Sequence, residues 1–254
     1  MSFEKRGGNA VFATAGIVII GDEILSGKTQ DVNCNFLIGE LRALGVALRR
    51  IAVIPDVLDE IEGTVRLFSQ SFDHVFTSGG VGPTHDDITM EGVARAFGTR
   101  VVRHPRLEGI LHQFYGDKLE SRNLRMAEVP EGAKLVDGDG LPWPVVSYDN
   151  VYILPGVPEI FKRKFLAIRE RFRQAPYHLT SVYTIDEEGR IAAHLDHVVA
   201  RYPEVSVGSY PRITTDGWRV KVTLESKDAE QVSRAAAELV ERLGAASVVN
   251  IEKS

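Results

Sequence analysis

The sequence predicts an α/β protein: a doubly wound, mostly parallel sheet over residues 10–174, followed by a smaller α+β domain over residues 177–254. Three observations point there. A nearly continuous apolar and β-branched run at residues 12–20 has the pattern of a strand buried on both faces. Strand and helix signals then alternate through residue 78 at the rhythm of βαβ units. Past Gln174-Ala175-Pro176 the order changes to strand, helix, two strands, helix, strand.

The first strand ends in a loop at residues 21–27 that holds Asp22 and Glu23 between glycines. A helix from Asp31 is expected because Phe36, Leu37, Leu41 and Leu44 recur at helical spacing and Gly45 supplies a stop. A second strand at residues 47–54 leads to Pro55-Asp56, which opens a helix with Leu58, Ile61, Val65 and Phe68 on one face. The third strand, at residues 74–78, runs into Ser78-Gly79-Gly80-Val81-Gly82-Pro83-Thr84 and then Asp86-Asp87, before a helical pattern at residues 91–97.

Residues 103–148 are less regular, with helical stretches near 107–115 and 121–126 and an extended turn at Leu141-Pro142-Trp143-Pro144-Val145, where Trp143 reads as a core residue. A strand at 151–154 feeds Pro155-Gly156-Val157-Pro158-Glu159 and a basic helix reaching about residue 173. Pro158 suits its first turn, and Glu159 suits the positive end of its dipole. Lys162-Arg163-Lys164 reads as that helix's solvated face. In the second domain the expected elements are 179–185, 187–201, 205–210, 218–226, 228–243 and 247–251, with Gly208-Ser209-Tyr210-Pro211 as a turn that could also close over the first domain's crevice. His194 and His197 lie three apart on a helix, but no third metal ligand is evident.

Composition narrows the function. The 254 residues are 44% hydrophobic and 26% charged, with a formal net charge of −5, which argues against binding nucleic acid through bulk positive charge. Cys34 is the only cysteine, so neither an intrachain disulfide nor a multi-thiolate zinc site is possible. A polar, glycine-containing start at residues 1–10 and no apolar run of spanning length predict a cytoplasmic protein with no membrane partner.

The chemistry concentrates in the glycine-rich segment. Gly79, Gly80 and Gly82 remove side chains where backbone N–H groups must crowd an anion, and the helix behind them adds its dipole. Carboxylates at the lip of a phosphate cradle repel phosphate unless a hard divalent cation lies between. Asp86 or Asp87 could equally cap the next helix, Asp56 is the best N-cap candidate in the chain, and Glu23 suits a surface loop as well. If the third strand lies on the far side of the first from the second, Asp22/Glu23, Asp56 and Asp86/Asp87 converge on one crevice beyond the strand ends.

Gly21-Asp22-Glu23-Ile24-Leu25, Pro55-Asp56, the 78–84 segment with Asp86-Asp87-Ile88-Thr89, and Pro155-Gly156-Val157-Pro158-Glu159 together resemble the molybdopterin-binding (MoaB/Mog-like) domain family over about residues 12–172. Within it the chain looks most similar to CinA-type competence/damage-inducible proteins and to the N-terminal domain of eukaryotic-type FAD synthases. The 137–144 segment departs from the CinA-type turn, and neither a deamidase nor an adenylyltransferase domain is recognisable in these residues. The tail is similar to a KH-type domain but lacks a Gly-x-x-Gly loop.

The resemblance implies a nucleotide or pterin pyrophosphate ligand. In the CinA and FAD-synthase branches it implies a pyrophosphatase of ADP-ribose or FAD dependent on Mg²⁺, Mn²⁺ or Co²⁺. It places Asp56 and Asp87 on positions that matter in the adenylyltransferases; beside it, the residues themselves suggest Asp87, with Asp56 or Asp86, as metal ligands, and Glu23 as a second ligand or a catalytic water-orienting base. Gly21, Asp22, Ser78, Gly79, Gly80, Gly82, Pro83, Thr84, Gly156, Pro158 and Glu159 would contact phosphate or nucleotide. A homodimer or homotrimer is expected. Non-catalytic ligand binding and adenylyl transfer to molybdopterin are the alternatives.

Overall fold

The first strand, β1 (Thr14–Ile20), alternates between two cores, as a strand covered on both faces must. Ile17 and Ile19 pack into one apolar cluster, while Val18 and Ile20 pack into another. The computed structural model describes residues 12–213 and 217–253. The polar N-terminal stretch, residues 10 and 11 of the expected first domain, and Ser254 lie outside the described residues.

Where a loop is expected after β1, the chain makes one helical turn, α1 (Asp22–Leu25). α2 (Asn33–Ala43), β2 (Ala47–Ile54), α3 (Leu58–Ser71), β3 (His74–Ser78) and α4 (Thr89–Ala96) follow. β1 pairs in parallel with β2 on one side and with β3 on the other, so the winding reverses at β1. That is the arrangement that brings the loops after all three strands to one edge of the sheet.

α3 and α4 pack closely because Gly92 faces Ile61: a Cβ on Gly92 would lie 2.3 Å from Ile61 Cγ2. Gly92→Ala should destabilise the protein by about 1–3 kcal/mol through overpacking, despite alanine's better helix propensity. Thermal melts of Gly92→Ala, Ile61→Ala and the double variant test this, since the second truncation should recover part of the first loss.

The less regular middle holds short strands that the sequence does not announce. β4 (Val101–Arg103) is followed by α5 (Pro105–Tyr115), two 3-10 segments (Gly116–Lys118 and Ser121–Ala127) and β5 (Glu128–Pro130), which pairs antiparallel with β4. β6 (Lys134–Val136), β7 (Val145–Tyr148) and β8 (Val151–Leu154) then complete a six-stranded sheet of order β2-β1-β3-β8-β7-β6. β7 runs antiparallel to β8, so the Trp143-Pro144 end of β7 comes to the edge where the parallel strands finish. α6 (Pro158–Ile168), with Pro158 in its first turn, ends at Ile168, and a 3-10 turn (Arg169–Phe172) carries on toward the helix limit expected at 173. Helices cover both faces: α2 and α6 over the cluster around Phe76 and Phe165, and α3, α4 and α5 over the one around Val75 and Phe68.

The chain divides into two compact units between Gln174 and Ala175. The second comprises β9 (His178–Thr184), α7 (Glu188–Arg201), β10 (Ser206–Pro211), β11 (Val220–Ser226), α8 (Ala229–Leu243) and β12 (Val248–Lys253). Its sheet is antiparallel with order β10-β11-β9-β12, the split β-α-β arrangement, which differs from the KH-type domain the resemblance implied. Gly208 to Pro211 lie within β10 and are not a turn. His197 Nε2 sits 2.8 Å from Glu238 Oε1, so that histidine belongs to an ion-pair network joining α7 and α8. No helix among the described residues is long and apolar enough to cross a membrane.

Candidate functional site

The acidic edge is built by hydrogen bonds between loops. Asp56 does not cap α3, whose N-cap is Val57 without a side-chain bond. Instead Asp56 Oδ2 accepts the Asp22 N–H at 2.9 Å, which ties the loop after β2 to the loop after β1. Burial pushes the Asp56 carboxyl above its usual range; the Asp22 N–H opposes this, and the charges of Glu23, Asp22 and Asp86 add to the rise. Carboxylates from the loops after β1, β2 and β3 therefore share one electrostatic neighbourhood.

The glycine loop is held from below. Gly79 has φ +109° and its Cα lies over the end of β1, where a Cβ would come 2.1 Å from Ile20 O. Its N–H donates to Leu154 O at 3.2 Å, so Gly79 is not the phosphate donor expected of it; a sheet carbonyl already takes that amide. Thr89 Oγ1 donates to Gly79 O at 2.8 Å and Thr89 N–H to Gly80 O at 3.0 Å. The amides of Gly80 and Gly82 make no protein hydrogen bond among the described residues and remain as donors.

Ser78 is likewise committed: it is buried, and its Oγ accepts from Asn33 Nδ2 at 3.0 Å, which removes it from the expected phosphate contacts. The same Asn33 Nδ2 donates to Gly156 O at 2.7 Å, while Asn33 Oδ1 is buried without a partner. Asn33 thus clamps the floor of the site, a role that sequence reasoning missed. The only cue was Asp31 two residues earlier, whose Oδ1 accepts the N–H groups of Asn33 and Cys34 and starts α2. Burial, with Asp31 beside it, pushes the Cys34 thiol up to about 11, so it is no nucleophile at neutral pH.

Asp87 bends back on its own loop. Its Oδ2 accepts the Thr84 N–H at 2.7 Å and the Thr84 hydroxyl at 2.5 Å, leaving Oδ1 free of protein hydrogen bonds among the described residues. Among the described residues no three acidic, histidine or cysteine side chains are grouped to hold a metal by themselves. The expected trio of Asp56, Asp86 and Asp87 is thus not one ligand cage, because Thr84 draws Asp87 aside. The oxygen donors at this edge still suit a hard cation that takes part of its coordination from a ligand phosphate.

Beside this edge opens a cavity of about 670 Å³, within the roughly 300–1,000 Å³ of small-molecule sites. Of the residues the sequence singles out, Glu23, Gly79, Gly80, Gly82, Asp87 and Gly156 line it. Gly21, Asp22, Asp56, Ser78, Pro83, Thr84, Asp86, Pro158 and Glu159 do not. Its far wall is apolar: Leu111, Phe114 and Tyr115 of α5, with Met126 and Trp143. Trp143 does pack against the core, as expected, yet it also faces the cavity. Lys164 lines it too and is only 7% exposed, which overturns its placement on a solvated helix face.

Residues 16–174 match the family described as a probable molybdopterin binding domain. The chain belongs to that family. Residues 176–252 match the FAD synthase middle domain. An Archaeoglobus fulgidus relative with no more specific name than "Protein" is 35% identical, covering 89% of this chain and 96% of its own. A Caenorhabditis briggsae relative named probable FAD synthase is also 35% identical, over 91% of this chain but 49% of its own, so the chain spans about half the length of that relative. The crystal structure of CinA from Thermoplasma acidophilum, described as of unknown function, aligns with a TM-score of 0.58 and 31% identity over 63% of this chain and 99% of that one.

Proposed function

We propose that the first unit hydrolyses a nucleotide pyrophosphate of the ADP-ribose or FAD class. The observation that carries this is a glycine loop in which Gly80 and Gly82, whose amides have no protein partner among the described residues, line a cavity next to clustered carboxylates. Two fixed N–H donors pre-organise the site for one phosphoryl group without reorganisation during reaction. The apolar wall at Phe114, Tyr115 and Trp143 takes a planar heterocycle.

The diphosphate then lies between cavity and acidic edge, and attack comes from the acidic side. A water oxygen bonds to phosphorus as the bridging P–O bond opens opposite it, and the bridging oxygen leaves with the nucleotide in the cavity. Asp56 Oδ1 accepts the water's proton, its Oδ2 being held by the Asp22 N–H; its raised proton affinity suits that task. Glu23, which lines the cavity and adjoins Asp56, orients the water. A divalent cation shared by Asp86 or Asp87 Oδ1 and the ligand would supply the charge that lets phosphate approach these carboxylates, leaving Asp56 Oδ1 to the water.

The test is a panel of dinucleotide pyrophosphates with Mg²⁺, Mn²⁺ and Co²⁺, reading mononucleotide products. Turnover that a chelator abolishes is expected; no product from any member would refute hydrolysis. A second reading, a module that binds its ligand uncleaved, is favoured by the commitment of Asp87 Oδ2 to loop shape. It predicts binding that survives the chelator. A dimer or trimer through the first unit belongs to the same proposal, since edge strand β2 exposes Ile51 and Val53. So does a cytoplasmic location, with neither nucleic acid nor membrane as partner.

A further inference from the structure

Lys164 is a buried cation with no counter-charge among the described residues. Two of its three ammonium protons go to main-chain carbonyls, Trp143 O at 2.9 Å and Pro144 O at 2.7 Å, and no third partner is present among the described residues. Carbonyl dipoles offset only part of the cost of removing an ammonium from water, and a buried charge is ordinarily paired with an anion. Of the described charged side chains lining the cavity, Glu23, Asp87 and Lys164, it is the one cation.

The surrounding charges do not supply the missing anion. In the 137–144 segment Asp137 is taken by Arg106 and Asp139 is exposed. On α6, Arg163 turns away to Gly140 O, while Glu159 and Lys162 are exposed. Glu23, Asp87 and Tyr115 share the cavity, yet burial alone lowers the Lys164 ammonium to about 8, with no neighbouring charge opposing it. The unspent proton therefore has one remaining direction of use, a ligand in the cavity.

We propose that Lys164 is the cationic anchor for the phosphate of the nucleotide held in the cavity, the half of the ligand that departs on cleavage. This rests on the pyrophosphate reading and adds a division of labour to it. Gly80 and Gly82 hold the phosphoryl group under attack, and Lys164 balances the charge that accumulates on the other. Its bonds to Trp143 O and Pro144 O couple that anchor to the wall against which the heterocycle stacks.

The test compares mononucleotides with their phosphate-free nucleosides: FMN against riboflavin, and AMP against adenosine, measured by calorimetry and flavin quenching on the full chain. The phosphate should strengthen wild-type binding roughly 10- to 100-fold, the worth of a charge-assisted hydrogen bond. Lys164→Met should erase that preference while nucleoside affinity holds. Wild-type preference should fade as pH rises past about 8, because the ammonium then deprotonates; Lys164→Arg should keep it to higher pH. Equal weakening of nucleotide and nucleoside in Lys164→Met would show that the residue only props the Trp143 wall, and an unchanged preference would remove it from the site. Either overturns the anchor and leaves hydrolysis standing. If the wild type neither binds these mononucleotides nor cleaves any pyrophosphate, both proposals fall together.

Discussion

Asp56→Asn is expected to lower pyrophosphate hydrolysis by about 10²–10⁴-fold, the usual worth of a general base, and to leave the fold at least as stable at neutral pH. Asparagine keeps an oxygen to accept the Asp22 N–H, so the link between the loops after β1 and β2 survives. What it removes is a charge that burial and the neighbouring Glu23, Asp22 and Asp86 all disfavour. A carboxyl whose folded pKa lies above its unfolded value binds its proton more tightly in the native state. Wild-type stability from this group is therefore greatest at acid pH and falls as pH climbs from 3.8 through the raised value. Melts with chelator present should show the variant equal to wild type at low pH and ahead of it near pH 7. A variant equally destabilised at every pH would mean that Asp56 serves the fold and not the reaction.

That pattern, a residue costly to the fold and placed at its functional edge, also marks where sequence reading succeeds. The long elements are legible because apolar periodicity is redundant over seven residues or more: β1, β2, α3, α8 and the whole second-unit order appear where the sequence predicts them. The convergence of acidic loops follows from one topological condition, β3 beside β1, and that condition holds. β4, β5 and β6 are three residues each, too short for any period to show, and β4 and β5 are made by pairing with each other across α5 and the 3-10 segments.

Within the site, glycines and carboxylates are visible as residue types, but their division of labour is not. Gly79 and Ser78 look like phosphate ligands until Leu154 O and Asn33 claim them. Lys164 sits in a basic triplet that reads as solvent-facing, and only the return of β7 beside β8 places carbonyls over it. Such assignments depend on contacts between segments that no local pattern encodes.

Gly79→Ala should be the most damaging small substitution in the glycine loop, with a loss of about 3–5 kcal/mol. Two costs combine. Alanine at φ +109° is strained by about 1–3 kcal/mol, and a Cβ placed 2.1 Å from Ile20 O meets backbone that cannot rotate away. The glycine cannot retreat either: its N–H is held by Leu154 O, its carbonyl by Thr89 Oγ1, and Gly156 lies behind it at 3.5 Å from an added Cβ to Gly79 Cα. Gly98→Ala is the matched control, because Gly98 also has positive φ, at +68°, but an added Cβ there meets nothing within 4 Å. It should cost only about 1 kcal/mol. At roughly 2–4 °C per kcal/mol for a unit of this size, Gly79→Ala should melt on the order of 10 °C below wild type and Gly98→Ala only a few degrees below. Equal losses in the two variants would mean that backbone conformation alone, and not the contact between the glycine loop and the end of β1, fixes the cradle in place.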